Sequence, residues 1–220
     1  MDQAAKKLEV ARAALEFIKP GMSLGVGTGS TVNALIDLLE PLAPTLGAVV
    51  ASSRATEARL RARGINVQAL DEVGDLDLYI DGADEANKQF HLVKGGGGAL
   101  TREKVLAGAS RRFVCIIDDS KWVGVLGGFP LPVEVIPMAR SFVARQFVKL
   151  RGQPIWRENF VTDNGNQILD VHNLQIANPV EFEARINQIP GVVTVGIFAG
   201  RPADVILIAE DKGVRRLDRR

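Results

Sequence analysis

The segment Asp81-Gly82-Ala83-Asp84-Glu85 crowds three carboxylates into five residues. Carboxylates at that spacing serve as general acids and bases, hold a hard cation such as Mg²⁺, or sit on a solvated turn that caps a helix. Lys94 follows, and an ammonium there supplies positive charge that a metal would otherwise bring. Behind it stand four consecutive glycines, Gly95 to Gly98. Such a run costs much conformational entropy on folding, and close backbone approach to a ligand is its natural use. Glu103 falls in the first turns of the helix expected after those glycines, facing back towards them. Its carboxylate either contacts a bound molecule or complements the helix dipole alone.

Gly25-Val26-Gly27-Thr28-Gly29-Ser30-Thr31 is a second glycine-rich turn, leading from a strand into a helix. Its physical use would be to aim backbone N–H groups and hydroxyls at an anion on a helix N-terminus. The plain alternative is a tight turn with a helix cap. A dinucleotide fingerprint needs Gly where Ser30 stands and an acid after the second strand, where the chain has Ser52-Ser53. A nucleotide P-loop needs Lys where Gly29 stands. A single phosphate monoester suits the loop better. Lys121, in Asp118-Asp119-Ser120-Lys121 after another strand, is either an anion contact or a surface lysine, and Lys7 on the first helix has the same standing. His91 and His172 lie apart, with no ligand-spaced partners, and read as loop or packing residues.

The elements that must position these groups alternate. Apolar residues at helical spacing (Leu8, Ala11, Leu15, Ile18) predict a first helix over 3–18, closed by Pro20-Gly21. Strands are expected at 23–27, 47–51, 67–70, 76–80 and 113–117, with helices over 32–39, through Arg63, and over 100–109. Several strands are apolar on both faces, which implies a mostly parallel sheet covered by helices in the Rossmann manner. The loops at Gly27–Thr31 and Asp81–Asp84 then follow the C-terminal ends of strands, where open α/β sheets bind ligands.

Beyond Gly127-Gly128-Phe129-Pro130 the pattern changes. Strands are expected at 133–136, 154–158, 167–171 and 192–198, helices at 139–150 and 179–188, and a hairpin turn at Asp163-Asn164-Gly165. That βαββαβ order is the ferredoxin-like unit. A last strand, 203–209, returns to the first domain. The expected fold is therefore α/β, a Rossmann-like domain of residues 1–128 and 203–220 with a smaller ferredoxin-like α+β domain of residues 129–202.

Composition excludes several function classes. With 27 Lys and Arg against 26 Asp and Glu, the net charge is +1, and no basic face for nucleic acid is expected. The basic cluster Arg215, Arg216, Arg219 and Arg220 reads as a solvated terminus. At 5% aromatic residues the chain lacks a base-stacking platform. The single cysteine, Cys115, lies in the apolar run Phe113–Ile117 and reads as a packed thiol. No apolar stretch has the length of a signal sequence core or a membrane span, so the expected location is the cytoplasm, with no membrane partner.

Taken together, Gly27-Thr28-Gly29-Ser30-Thr31, Ser52-Ser53 with Thr56, Asp81-Gly82-Ala83-Asp84-Glu85 and the run from Lys94 to Lys104 closely resemble the A-type ribose-5-phosphate isomerases. The resemblance continues through Leu169-Asp170-Val171-His172-Asn173-Leu174 and Ile189-Pro190-Gly191-Val192-Val193, and so covers nearly the whole chain. It implies interconversion of ribose 5-phosphate and ribulose 5-phosphate in the pentose phosphate pathway, without metal or cofactor, by a homodimer. It further implies Glu103 as the proton-transferring base, with Asp81, Asp84 and Lys94 as the other catalytic groups. Thr28, Gly29, Ser30, Thr31, Gly82, Ala83, Gly95, Gly96, Gly97, Lys121 and Lys7 are the implied substrate contacts. Which aspartate opens the sugar ring stays open.

Two rival readings stand beside it, one from another class and one a different enzyme of similar fold. A sugar-phosphate sensor of a transcription regulator would need a helix-turn-helix, and the stretch before the first strand is too short for one. An amino-sugar phosphate deaminase or a sugar lactonase would be expected to use a catalytic histidine. Both histidines here lie outside the acidic and glycine-rich loops.

Overall fold

Short-range capping sets the first elements. The Asp2 carboxylate accepts from the Ala5 N–H at 2.7 Å and opens a helix, and the Ser53 hydroxyl does the same for Thr56 at 3.0 Å. The computed structural model describes residues 1–219. Chain order begins α1 (Gln3–Ala14), β1 (Leu24–Val26), α2 (Ser30–Leu39), β2 (Val49–Ala51), α3 (Arg54–Ala62), α4 (Leu70–Val73) and β3 (Leu76–Asp81). There follow β4 (Glu85–Ala86), β5 (Leu92–Val93), α5 (Leu100–Gly108), β6 (Ser110–Asp118), β7 (Leu131–Val135) and α6 (Arg140–Lys149). The last elements are β8 (Gln153–Trp156), β9 (Gln167–His172), α7 (Pro179–Asn187), β10 (Val192–Val195), β11 (Ile197–Phe198), β12 (Val205–Glu210) and β13 (Gly213–Asp218).

The chain divides into two units. One comprises residues 1–83, 102–122 and 203 onward, the other residues 84–101 and 123–202. Residues 84–101 and 123–128, which the sequence reading grouped with the first domain, fall in the second unit. The physical reason for the first stretch is strand pairing: β5 bonds on one side to β4 and on the other to β11.

The first unit is built on a six-stranded sheet in the order β13-β12-β6-β3-β1-β2. All its pairs are parallel except β12 with β13. Because β1 has β2 on one side and β3 on the other, strand order reverses at β1, which is the switch point where such sheets bind ligands. Val10, Ala11, Leu35, Ile36, Ile80, Val114 and Leu207 belong to one fully or nearly buried core. Each large aliphatic side chain removed from water there contributes about 1.5–3 kcal/mol.

The second unit carries a four-stranded antiparallel sheet in the order β10-β7-β9-β8 and a three-stranded sheet β11-β5-β4. With α6 after β7 and α7 after β9, the former realises the βαββαβ pattern. Its separate core includes Leu131, Val133, Phe147, Leu169 and Ile186. Overall the chain is mixed α/β, with a mostly parallel central sheet and additional antiparallel sheets. Among the described residues no helix is long and apolar enough to cross a membrane.

Three local expectations need correction. The strand expected at 67–70 is a single bridge, Val67 to Val49, followed by the helix α4. Asp71 and Glu72 suit that helix's first turn, and the Glu72 side chain accepts from the Ala69 N–H at 3.4 Å. The strand expected at 192–198 breaks at Gly196 into β10 and β11, which lie in different sheets. A Cβ at Gly196 would stand 2.2 Å from the Lys94 carbonyl oxygen, so only glycine lets the two backbones approach there. The basic cluster near the C-terminus is no solvated tail. Arg215 and Arg216 lie on the edge strand β13, Arg215 over Trp122 and Arg216 over Phe17, and each is paired with an acid. Arg219 pairs with Asp204 at 2.8 Å, and Arg220 lies outside the described residues.

Candidate active site

In the first unit the groups converge on the C-terminal ends of β1 and β3. Tyr79, Asp81 and the strand alternation decide the geometry: residues i and i+2 share a face, so the Tyr79 hydroxyl meets Asp81 and donates to its Oδ2 in a short hydrogen bond. Asp81 Oδ1 accepts from the N–H of Thr28 at 3.1 Å and of Gly82 at 2.7 Å. Gly27 is required at this crossing, because a Cβ there would lie 1.9 Å from Asp81 Oδ1. The Thr28 hydroxyl contacts those of Ser52 and Ser53, both at 2.8 Å, and of Thr56 at 3.1 Å. Thr56 in turn donates to the Gly27 carbonyl at 2.7 Å. Both polar groups of Thr28 thus fix the turn that presents Gly29, Ser30 and Thr31 at the start of α2. Gly29 holds φ at 118°, and no side chain caps the helix after it.

Glu103 stands in the first turn of α5 and is only 4% exposed, while Asp81 is fully buried. Burial first, then the charges of Asp81 and Glu103, push the Tyr79 phenol well above its ordinary value near 10. The phenol is therefore a neutral donor flanked by two desolvated carboxylates. Lys121 ends the short turn after β6. On α1 it is Lys6, not Lys7, that pairs with Asp119 of that turn, at 2.8 Å.

In the second unit Asp84 Oδ2 accepts from the Gly96 N–H at 2.8 Å. Gly95 and Gly98 hold positive φ, and the Gly98 N–H closes the turn on the Gly95 carbonyl at 2.9 Å. Gly96 and Gly97, at the tip, are exposed. Lys94 is nearly buried, with its Nζ 5.5 Å from the centre of the Phe198 ring. The three acids of the 81–85 cluster turn to different tasks. Asp81 accepts from Thr28 in one glycine-rich loop and Asp84 from Gly96 in the other, whereas Glu85 accepts from the N–H groups of Gly127 at 2.7 Å and Phe129 at 2.6 Å. Ala83 closes the first unit's segment and Asp84 opens the second's.

Sequence reasoning overlooked Tyr79, although it is the chain's single tyrosine and lies two residues before Asp81 in an apolar strand. It also overlooked Arg157, whose guanidinium is paired with Asp170 and donates to the carbonyls of Gly95 and Gly96. No local motif marks that arginine.

Residues 48–213 match the family model of ribose 5-phosphate isomerase A (phosphoriboisomerase A). The chain belongs to the ribose 5-phosphate isomerase A family. It is 43% identical to ribose 5 phosphate isomerase A from Neisseria gonorrhoeae, covering 99% of this chain and 97% of that one with a TM-score of 0.96. The corresponding enzyme from Methanocaldococcus jannaschii is 37% identical, covering 99% and 100% with a TM-score of 0.93. That from Plasmodium falciparum is 30% identical over 99% and 100%, again with a TM-score of 0.93. As a member of this family, the chain is an aldose–ketose isomerase that interconverts ribose 5-phosphate and ribulose 5-phosphate.

Proposed function

We propose that this isomerisation runs through an enediolate, with Glu103 moving the carbon-bound proton. The observation that carries the reading is the pair of desolvated carboxylates, Asp81 and Glu103, set about a neutral Tyr79 phenol. In the open-chain aldose, Glu103 takes the proton from C2, the electrons form the C1–C2 double bond, and the aldehyde oxygen becomes the enediolate oxygen. Asp81 or Asp84 moves protons on oxygen, both to open the sugar ring and to pass the C2 hydroxyl proton towards O1. Glu103 then returns its proton to C1, and the ketone remains at C2. General-base catalysis of this kind contributes about 10²–10⁴ in rate. Lys94 and the glycine N–H groups stabilise the charge that develops on oxygen. The phosphate is taken by Gly29, Ser30 and Thr31 at the uncapped start of α2, with Lys7 and Lys121 as further cations.

A similar isomerase, 33% identical and covering all of both chains, was solved in complex with phospho-erythronic acid. A phosphate and a carboxylate on one short chain match the two charged ends of a phosphorylated enediolate, which supports the same division of labour here. No step calls for a metal or cofactor. The reaction belongs in the non-oxidative pentose phosphate pathway of the cytoplasm, because a sugar phosphate does not cross membranes unaided. We also infer a homodimer. Support comes from the edge strand β8, where Ile155 and Trp156 are exposed, and from Met138, which is 94% exposed.

The test is ketose formation from ribose 5-phosphate in excess EDTA, with Glu103→Gln alongside. The expected result is full wild-type turnover and a loss of about 10³-fold in kcat for Glu103→Gln, with sugar phosphate binding retained. Loss of wild-type activity in EDTA would instead make Asp81 and Asp84 metal ligands.

A further inference from the structure

We propose that Arg157, oriented by Asp170, is a positioning residue for the glycine loop, a role that rests on the reading of that loop as a substrate contact. The guanidinium meets Asp170 through two nitrogens, with Nε donating to Oδ2 at 2.8 Å. That fork fixes the plane of the group. The opposite edge then donates to two successive carbonyls, Gly95 at 3.3 and 3.4 Å and Gly96 at 3.1 Å. The Phe160 ring lies 5.3 Å from the guanidinium carbon, and the same ring abuts Gly98, where a Cβ would stand 2.1 Å from it.

Two consequences follow for the loop. Held carbonyls on one side oblige the intervening N–H groups to point to the other, and the Gly96 N–H does so, onto Asp84. The peptide whose carbonyl belongs to Gly96 carries the N–H of Gly97. A charged donor on that carbonyl polarises the unit and strengthens the N–H as a donor. Four glycines would otherwise be the most mobile backbone in the unit. Arg157 takes up the carbonyls and Asp84 one N–H, and the N–H of the exposed Gly97 is the donor that we assign to the substrate.

The role predicts a specific kinetic signature in the full-length enzyme. Arg157→Ala and Arg157→Lys are assayed for kcat, KM and inhibition by inorganic phosphate, with thermal midpoints measured in parallel. Lysine keeps the charge beside Asp170 but cannot bridge both its oxygens and two carbonyls. Both variants are expected to lose about 10- to 100-fold in kcat, because a misplaced donor acts on the transition state, while KM and the phosphate constant move less than about threefold. Added methylguanidinium is expected to restore part of the kcat of Arg157→Ala, which a merely destabilised fold would not show. Wild-type kcat in a folded Arg157→Lys overturns the proposal, as does a loss of kcat that follows the thermal midpoint and resists rescue. Should Arg157→Ala not fold, Arg157→Lys decides alone. Lys94→Gln separates the two readings. If it is inactive while the Arg157 variants match wild type, only the positioning role falls. If Lys94→Gln also turns over normally, the site itself is misassigned.

Discussion

Asp81 is held by three donors at once, the Tyr79 hydroxyl and the N–H groups of Thr28 and Gly82. Such a carboxylate has one orientation, and the absence of a Cβ at Gly27 makes it possible. Gly27→Ala is therefore expected to displace Asp81 and lower kcat by about 100-fold, a misplacement effect visible in steady-state assays with little change in KM. Tyr79 supplies a pH test. Its folded pKa lies above the unfolded value, so its contribution to stability is fully present below about pH 10 and is lost as pH rises through the elevated value. The urea midpoint of the wild type should thus fall above about pH 10 more steeply than that of Tyr79→Phe. Parallel curves would show that the phenol does not titrate with unfolding. At neutral pH the same substitution removes a buried donor to Asp81 and should cost about 1–3 kcal/mol.

At the scale of elements, Glu134 on β7 is the counterpart. Its buried carboxylate accepts from the Thr101 hydroxyl at the start of α5, from the Thr162 hydroxyl at 2.8 Å and from the side-chain amides of Asn164 at 3.1 Å and Asn166 at 2.8 Å. One acid thus ties the long β8–β9 connection and Thr101 to the sheet. Glu134→Ala should destabilise the protein by on the order of 3 kcal/mol, measurable by urea unfolding, because several buried donors lose their acceptor together. Here the limit of sequence reading is visible. Asp163-Asn164-Gly165 reads correctly as a turn, with the Gly165 N–H on the Thr162 carbonyl at 2.9 Å. That Asn164 also spends its amide on a glutamate thirty residues earlier is a tertiary fact with no local trace. The same holds for Arg157, whose partners lie 13 and about 60 residues away. By contrast the β1 and β3 loops were legible, because glycine at a strand end and acids before a turn are local requirements. The false strand at 67–70 and the missed β13 mark the remaining gap. Short apolar runs and charged edge strands owe their state to neighbours rather than to their own pattern.

For the molecule as a whole, the two cores are distinct sets of residues. Phe147 is fully buried in the second, and Phe147→Ala should cost about 3–5 kcal/mol. Amide exchange in β7 and β9 is expected to accelerate well beyond that in β3 and β6. Uniform acceleration throughout would instead show that the chain opens as one cooperative body.

The sheet order also places β12, nearly ninety residues after β6, as an interior strand with β6 on one side and β13 on the other. On a ribosome, therefore, the whole second unit emerges before the first can complete its sheet, and β6 waits with one edge open. Long-range strand pairing of this kind is the slow part of folding. Nature has left a reporter in each unit, since the chain's two tryptophans are Trp122, against Arg215 of β13, and Trp156, against Arg140 of α6. In a refolding experiment the Trp156 emission should settle first, and Trp122 should announce the closing of the sheet.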